Sequence, residues 1–230
     1  MADLVERAGW YLPKSDTYFA QFYPGPAPKR NGFQREHLHE AFKFVKRWDA
    51  AFDIGAHVGF WTWDMAQRFK RVYAFEAAPD TYDCLVKNVA ECGNVTTAQF
   101  AISSESGKAI LNEDPSRPPG NTGSRWITAI NPEQAVKLGV SGAEGVPMIP
   151  LDSINLHACD FIKIDVEGHE YHVLQGAKET IAKFHPVIIM ECDKKFTHRY
   201  GLPHGAAEEL LRIGGYRCVA HMRPDKVFVP

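Results

Sequence analysis

Residues 52–62 read FDIGAHVGFWT. An apolar run closes on Asp53, and two glycines follow four residues apart, Gly55 and Gly59, with His57 between them. A glycine at a strand end serves where the backbone turns sharply or another group lies against it. "DAAFDI" reads as a strand, and a helix is expected from about Val58 to Phe69. Strand, glycine turn and helix together open a nucleotide-type βαβ unit, whose helix N-terminus offers unpaired N–H groups. A tight turn with no ligand would use the same glycines, so the second strand has to decide.

That strand is "VYAFE", and it ends in Glu76, 23 residues after Asp53. A spacing of about 20 residues is what a ribose-binding carboxylate needs in such a unit. The glycines are spaced G-x-x-x-G rather than G-x-G-x-x-G, which disfavours NAD. S-adenosylmethionine has no pyrophosphate to cradle; it presents an amino group, a carboxylate, a sulfonium and a ribose. Asp53 would then sit near the amino group, directly or through water. Gly55 would let the methionine tail lie against the chain.

Further on, "PDTYDCLVKNVAEC" reads as a helix with Pro79 in its first turn, and "VTTAQFAI" as a third strand. Residues 103–150 break the alternation and read as a loop insertion, with "NEDPSRPPGNTGSR" its irregular part and "VPMIPLDSI" a short strand and turn. "DFIKID" and "PVIIMEC" are strands, with "HEYHVLQGAKETIAKF" as one amphipathic helix between them. "GAAEELLRIGG" is a helix stopped by glycines, and "YRCVAH" and "KVFV" form a terminal hairpin. Alternating strands and helices imply an α/β fold, a mostly parallel sheet with helices on both faces.

Residues 1–48 lack strand alternation. They hold "WYLPKSDTYFAQFYPGPAPKR", whose four prolines predict an irregular path, and the helical pattern "REHLHEAFKFVKRW". Trp10, Tyr11, Tyr18, Phe19, Phe22 and Tyr23 are too many aromatics to leave in water. A lid over the acceptor site, a homodimer contact and plain packing are the three readings of this extension.

At 230 residues the chain suits a single domain with a full core. A net charge of -2 gives no footprint for nucleic acid or an anionic membrane. No apolar run approaches the roughly 18 residues of a membrane span, and "MADLVERAGW" has no signal-peptide pattern. Five cysteines without a C-x-x-C pair suit a reducing, cytoplasmic setting and disfavour a thiolate metal site.

Taken in order, "FDIGAHVGFWT", "VYAFEAAPDTYDCLVKNV", "AISSESGKA", "LDSI", "CDFIKIDVEGHEYHVLQGA", "PVIIMEC" and the late "GY" resemble the FkbM-type methyltransferases, a class I S-adenosylmethionine-dependent family. "KIDVEGHE" is the most diagnostic piece, and the likeness runs from residue 49 to about 221. Two positions depart from the family pattern: His57 stands where Asn is usual, and Ala77 where Pro is usual. The resemblance implies a Rossmann-like class I fold over 49–230, a seven-stranded, mostly parallel sheet closed by an antiparallel C-terminal hairpin. It also implies S-adenosylmethionine held by Asp53, Gly55, His57, Gly59, Glu76, Ala77 and Ala101, and methyl transfer to a hydroxyl of a small molecule, sugar or glycan.

An alcohol oxygen attacks well only if its proton is taken as it attacks. "IKIDVEGHEYH" gathers Asp165, Glu167 and His169 at the fourth strand end, the expected catalytic set; Glu170 and His172 are expected on a solvated helix face. Acids there would also stabilise the helix dipole. No metal is expected; Mg²⁺ on Asp165 and Glu191 is the less favoured alternative, and a zinc pair at His169 and His172 lacks a third ligand. Arg117, Arg125 and Trp126 are candidates to grip the acceptor. A base-flipping N-methyltransferase would carry an aromatic ledge where this chain has "DVEG". The remaining rivals are a protein-directed enzyme and a binder that uses the cofactor fold without turnover.

Overall fold

The computed structural model describes residues 3–23, 33–130, 145–193 and 197–230. Parts of the aromatic segment (24–32) and of the insertion (131–144) lie outside the described residues. The chain opens with a hairpin, β1 (Leu4–Arg7) and β2 (Trp10–Pro13), followed by α1 (Arg35–Phe42). The βαβ units run β3 (Ala50–Ile54), α2 (Phe60–Ala66), β4 (Arg71–Phe75), α3 (Pro79–Asn88) and β5 (Val95–Ala98). Four strands follow: β6 (Ala101–Ile102), β7 (Gly107–Glu113), β8 (Arg125–Ile130) and β9 (Val146–Ile149). The chain then returns as β10 (Phe161–Ile164), α4 (Glu170–Gln175), α5 (Lys178–Phe184) and β11 (Val187–Glu191). It ends with α6 (Ala206–Ile213), β12 (Arg217–Met222) and β13 (Asp225–Val229).

Among the described residues the large sheet is ordered β12-β13-β11-β10-β3-β4-β5. From β11 to β5 its strands are parallel; β13 runs antiparallel to β11 and β12. β3 lies between β4 and β10, so the order reverses there, and the crevice beyond the carboxyl ends at such a point is where ligands bind. β3 and β10 are buried along their whole length because helices cover both faces. Phe52, Ile54, Ile162 and Ile164 fill one side with Leu174 and Leu211. Ala51, Phe161 and Ile189 fill the other, with Met65, Phe42 and the N-terminal Trp10 and Leu12.

Four elements differ from the sequence expectation. The N-terminus does form strands: β1 and β2 join through Ala8 and Gly9, both with positive φ (50° and 78°), the two-residue turn that matches strand twist. Their hairpin is clamped by Asn88, whose Oδ1 accepts from Tyr11 N at 2.7 Å while Nδ2 donates to Tyr11 O and Val58 O. Burial of Leu12 alone contributes roughly 1.5–3 kcal/mol. "VTTAQFAI" is broken after Ala98: β5 extends the large sheet, and β6 joins a second sheet ordered β6-β9-β7-β8, so the insertion is largely strand where described. The single helix expected after β10 is two. A Cβ at Gly176 would lie 1.9 Å from the Ser103 carbonyl oxygen, and Asp152 caps the second helix by accepting from Glu179 N and Thr180 N. Glu170, expected in solvent, is buried because its Oε1 accepts from Gly168 N (3.0 Å) and Val166 N (3.4 Å) at its own helix start.

Candidate active site

The carboxyl ends of β3, β4, β10 and β11 open into one cleft of about 1170 Å³. That is slightly above the roughly 300–1,000 Å³ of ordinary small-molecule sites. Gly55, His57, Glu76, Ala77 and Ala101 line its β3–β4 end; Asp165, Glu167, His169 and Glu191 line its β10–β11 end.

At the first end, Glu76 directly follows the last residue of β4 and is held from three directions. Its Oε2 accepts from His57 N at 2.7 Å; its Oε1 accepts from Ala78 N and Thr81 Oγ1, both at 2.9 Å. Burial raises its carboxyl pKa, and these hydrogen bonds, with Lys163, oppose the rise. A carboxylate has about four lone-pair sites, so acceptor capacity is left for a ligand in the cleft.

The two glycines are bare for reasons inside the fold. A Cβ at Gly55 (φ +76°) would lie 1.9 Å from the Asp165 carbonyl oxygen on the neighbouring strand end. One at Gly59 (φ +92°) would lie 2.7 Å from Leu85 Cδ1, where α3 packs against the turn. Gly59 is not in the cleft wall, and neither is Asp53. Asp53 has no exposed surface; Thr62 Oγ1 donates to it at 2.6 Å. Its other oxygen is 3.1 Å from Lys163 Nζ. Asp53 therefore lies beneath the floor of the cleft.

Lys163 is the residue that sequence reading missed. Its register partner on β3 is Asp53, and its Nζ also donates to the Gly55 carbonyl and stands 3.8 Å from Asp165 Oδ2. Burial works against its charge, but Asp53, Asp165 and Glu76 more than offset this and raise its pKa. A lysine inside an otherwise apolar strand, "FIKI", was the available signal.

At the second end, carboxylate oxygens of Asp165, Glu167 and Glu191 all lie within 4.8 Å of one another. Glu167 sits at φ +55°, and Arg199 Nη1 donates to its carbonyl at 2.9 Å and approaches its Oε2 at 3.6 Å. Burial, then the charge of Asp165, push the Glu167 carboxyl up to about 8. Glu191 is pushed well above the carboxylate range by burial and by Asp165 and Glu167 beside it. Burial likewise lifts Glu170 to about 7. Asp165 is exposed to the cleft. His169 is 2% exposed, its Nε2 stands 3.0 Å from Ser103 Oγ, and burial lowers its pKa to about 3, so its imidazole is neutral. It stacks on His172 with centroids 4.5 Å apart.

The mouth is walled by segments from outside the βαβ units. Arg117, Arg125 and Trp126 all line it. Arg125 is already paired with Asp80 at 2.5 Å and Glu113 at 3.3 Å. Trp126 lies under the Arg199 guanidinium, 5.2 Å from the ring centroid. From the N-terminal segment, Tyr18 and Phe19 reach the same wall.

A reversed-order α/β sheet, an acid at the second strand end and carboxylates across the switch point fit an α/β protein of the class I methyltransferase type. The family model for the methyltransferase FkbM domain matches residues 53–218, and the chain belongs to that family. The chain is 28% identical over 158 residues to the hexuronic acid methyltransferase AglP of Haloferax volcanii, covering 66% of this chain and 58% of that protein. Its structure is similar to the crystal structure of methyltransferase FkbM from Methylobacillus flagellatus KT, with a TM-score of 0.52 and 17% identity. That match covers 85% of this chain and 50% of the other. The chain thus spans less than two thirds of the length of either relative. No helix among the described residues is long and apolar enough to cross a membrane.

Proposed function

We propose that this chain is an S-adenosylmethionine-dependent O-methyltransferase acting on a sugar hydroxyl. The observation that carries the reading is the single cleft with Glu76 at one end and Asp165, Glu167 and Glu191 at the other. Family membership and the likeness to a hexuronic acid methyltransferase of Haloferax volcanii support it. When bound, the cofactor supplies a methyl group on a sulfonium, transferred in line to the acceptor oxygen as the sulfur becomes a neutral thioether. Glu76 would hold the ribose hydroxyls with its remaining lone pairs. Gly55, Ala77 and Ala101 keep that wall low.

Glu167 is the base in this reading. It lines the cleft, and a pKa near neutrality suits a group that must be ionised before the reaction and protonated after it. Asp165, exposed beside it, orients the hydroxyl. His169, neutral and held at Ser103, serves as wall rather than as proton acceptor. Carboxylate oxygens of Asp165, Glu167 and Glu191 close enough to share one cation make a Mg²⁺-held hydroxyl the second reading of this end. The test is calorimetry with S-adenosylmethionine, then a product assay on uronic and neutral sugars. Absence of binding overturns the reading, and binding without product with any acceptor points to the non-catalytic alternative.

A further inference from the structure

Three segments far apart in sequence meet at one hydrogen-bonded chain over the β3 turn. Asp16 is 4% exposed, and its Oδ1 accepts from Phe19 N at 2.7 Å. Its Oδ2 accepts from Thr122 N at 3.3 Å and from the Thr122 hydroxyl. Thr122, also 4% exposed, has its Oγ1 at 2.8 Å from His57 Nε2. The Phe19 ring covers the imidazole, centroids 4.7 Å apart. His57 itself has φ +51°, and its backbone N–H is the donor to Glu76 Oε2.

Proton counting along this chain has one solution. Three donors converge on Asp16, so it is the carboxylate, and a carboxylate only accepts. The single hydroxyl proton of Thr122 goes to Asp16. Thr122 Oγ1 must then accept from His57, which places the imidazole proton on Nε2. The ring is neutral: burial, with Lys163 and Arg125 nearby, lowers its pKa to about 3, against a smaller opposing pull from Asp80. Its Nδ1 is left with a lone pair. His57 lines the cleft.

We propose that Asp16 and Thr122 are positioning residues that fix His57 as its Nε2–H tautomer, so that Nδ1 accepts from a hydroxyl of the nucleoside held at Glu76. A neutral donor fits better than an ammonium, because the cations Lys163 and Arg125 already act on this ring. The assignment rests on the cofactor reading above. It adds a residue from the N-terminal segment, which lies outside the family match at 53–218, to the ribose end of the site.

Two measurements test it. Nitrogen-15 NMR of histidine-labelled, ligand-free protein should show His57 as the Nε2–H tautomer across about pH 5–8. In Thr122→Val the two tautomers should mix, and Thr122→Ser should restore the single form. An Nδ1–H ring, or titration of His57 near its ordinary pKa in the intact protein, overturns the positioning role. In calorimetry, Thr122→Val should bind S-adenosylhomocysteine about two- to tenfold more weakly, twofold if the tautomers mix evenly and tenfold if the ring hydrogen bond is lost altogether, and Thr122→Ser should recover it. The 2′,3′-dideoxy analogue should bind wild type and Thr122→Val alike. Unchanged affinity in Thr122→Val, or an equal loss for the analogue, overturns the ligand assignment. If wild type binds no S-adenosylhomocysteine, the cofactor reading and the ligand assignment fall together, while the NMR result still decides the tautomer.

Discussion

Replacing Lys163 with methionine keeps an unbranched side chain, one heavy atom shorter, and removes its charge. Asp53 would then be an ionised carboxylate with no exposed surface and Thr62 as its remaining hydrogen-bond donor. Breaking a buried pair by removing one partner costs about 3–5 kcal/mol, out of a total stability of roughly 5–15 kcal/mol. For a chain of this size each kcal/mol moves Tm by about 2–4 °C, so Tm should fall by about 6–20 °C. Urea unfolding followed by circular dichroism, without any ligand, measures the loss directly. Asp53→Asn removes the stranded charge while keeping an acceptor for Thr62, so adding it to Lys163→Met should recover at least half of the deficit. The recovery would be the signature of coupled sites. The reasoning is refuted if Lys163→Met stays within about 1 kcal/mol of wild type, or if the second substitution only adds to the damage.

Glu76→Gln should weaken S-adenosylmethionine binding by about 1.5–3 kcal/mol, some 10- to 150-fold, the range for a charged hydrogen-bond partner; calorimetry with equal affinities would remove Glu76 from the ribose site. Turnover should rise with pH through about 8 as Glu167 loses its proton, and Glu167→Gln should flatten that limb while leaving cofactor affinity nearly constant. Stability should move the other way: a carboxyl whose folded pKa is raised contributes most below its unfolded value of about 4.3 and loses that contribution as pH rises through about 8. A urea series over that window checks the sign, and a constant midpoint would contradict it. Deleting residues 1–30 should unfold the protein, because Trp10 and Leu12 are fully buried in the core; a truncated chain with intact near-ultraviolet dichroism would show that the hairpin is dispensable. EDTA should leave turnover unchanged, and loss of activity restored by Mg²⁺ would replace the proton-based account of the acidic end with a metal-based one.

The strands that build the site are legible because each is a short apolar run that stops on, or just before, an acid: Asp53, Glu76, Asp165, Glu191. What those acids face is not legible, since it depends on which strands become neighbours. Gly55 reads as space for a ligand, and it does line the cleft, but a side chain there would also meet the Asp165 carbonyl, supplied by β10. Asp53, read as a ligand contact, is buried as the counter-charge of Lys163, a pairing that only the β3–β10 register reveals. The N-terminal hairpin escaped notice because its turn places Ala8, rather than Asn or Gly, in the left-handed region. Gly176 broke a helix that periodicity alone would continue, because Ser103 approaches it from another sheet. Glu170 fits a solvated helix face by spacing; it is buried because its carboxylate turns back to accept from the N–H groups of Val166 and Gly168 in the turn before its helix.

The pairing of β3 with β10 has a consequence for how the molecule comes into being. The two strands are joined through more than 100 residues of intervening chain (Lys163 to Gly55 spans 108 positions), and the cleft floor exists only where they meet. Contacts of such long sequence separation form late, after the entropy of closing the intervening loop has been met. A nascent chain on the ribosome that has emerged only through β5 therefore has the glycine turn and Glu76 but no floor beneath them. Any molecule that binds the cleft selects finished protein over every partly folded form, and its presence during synthesis raises the yield of the finished state without touching the early steps.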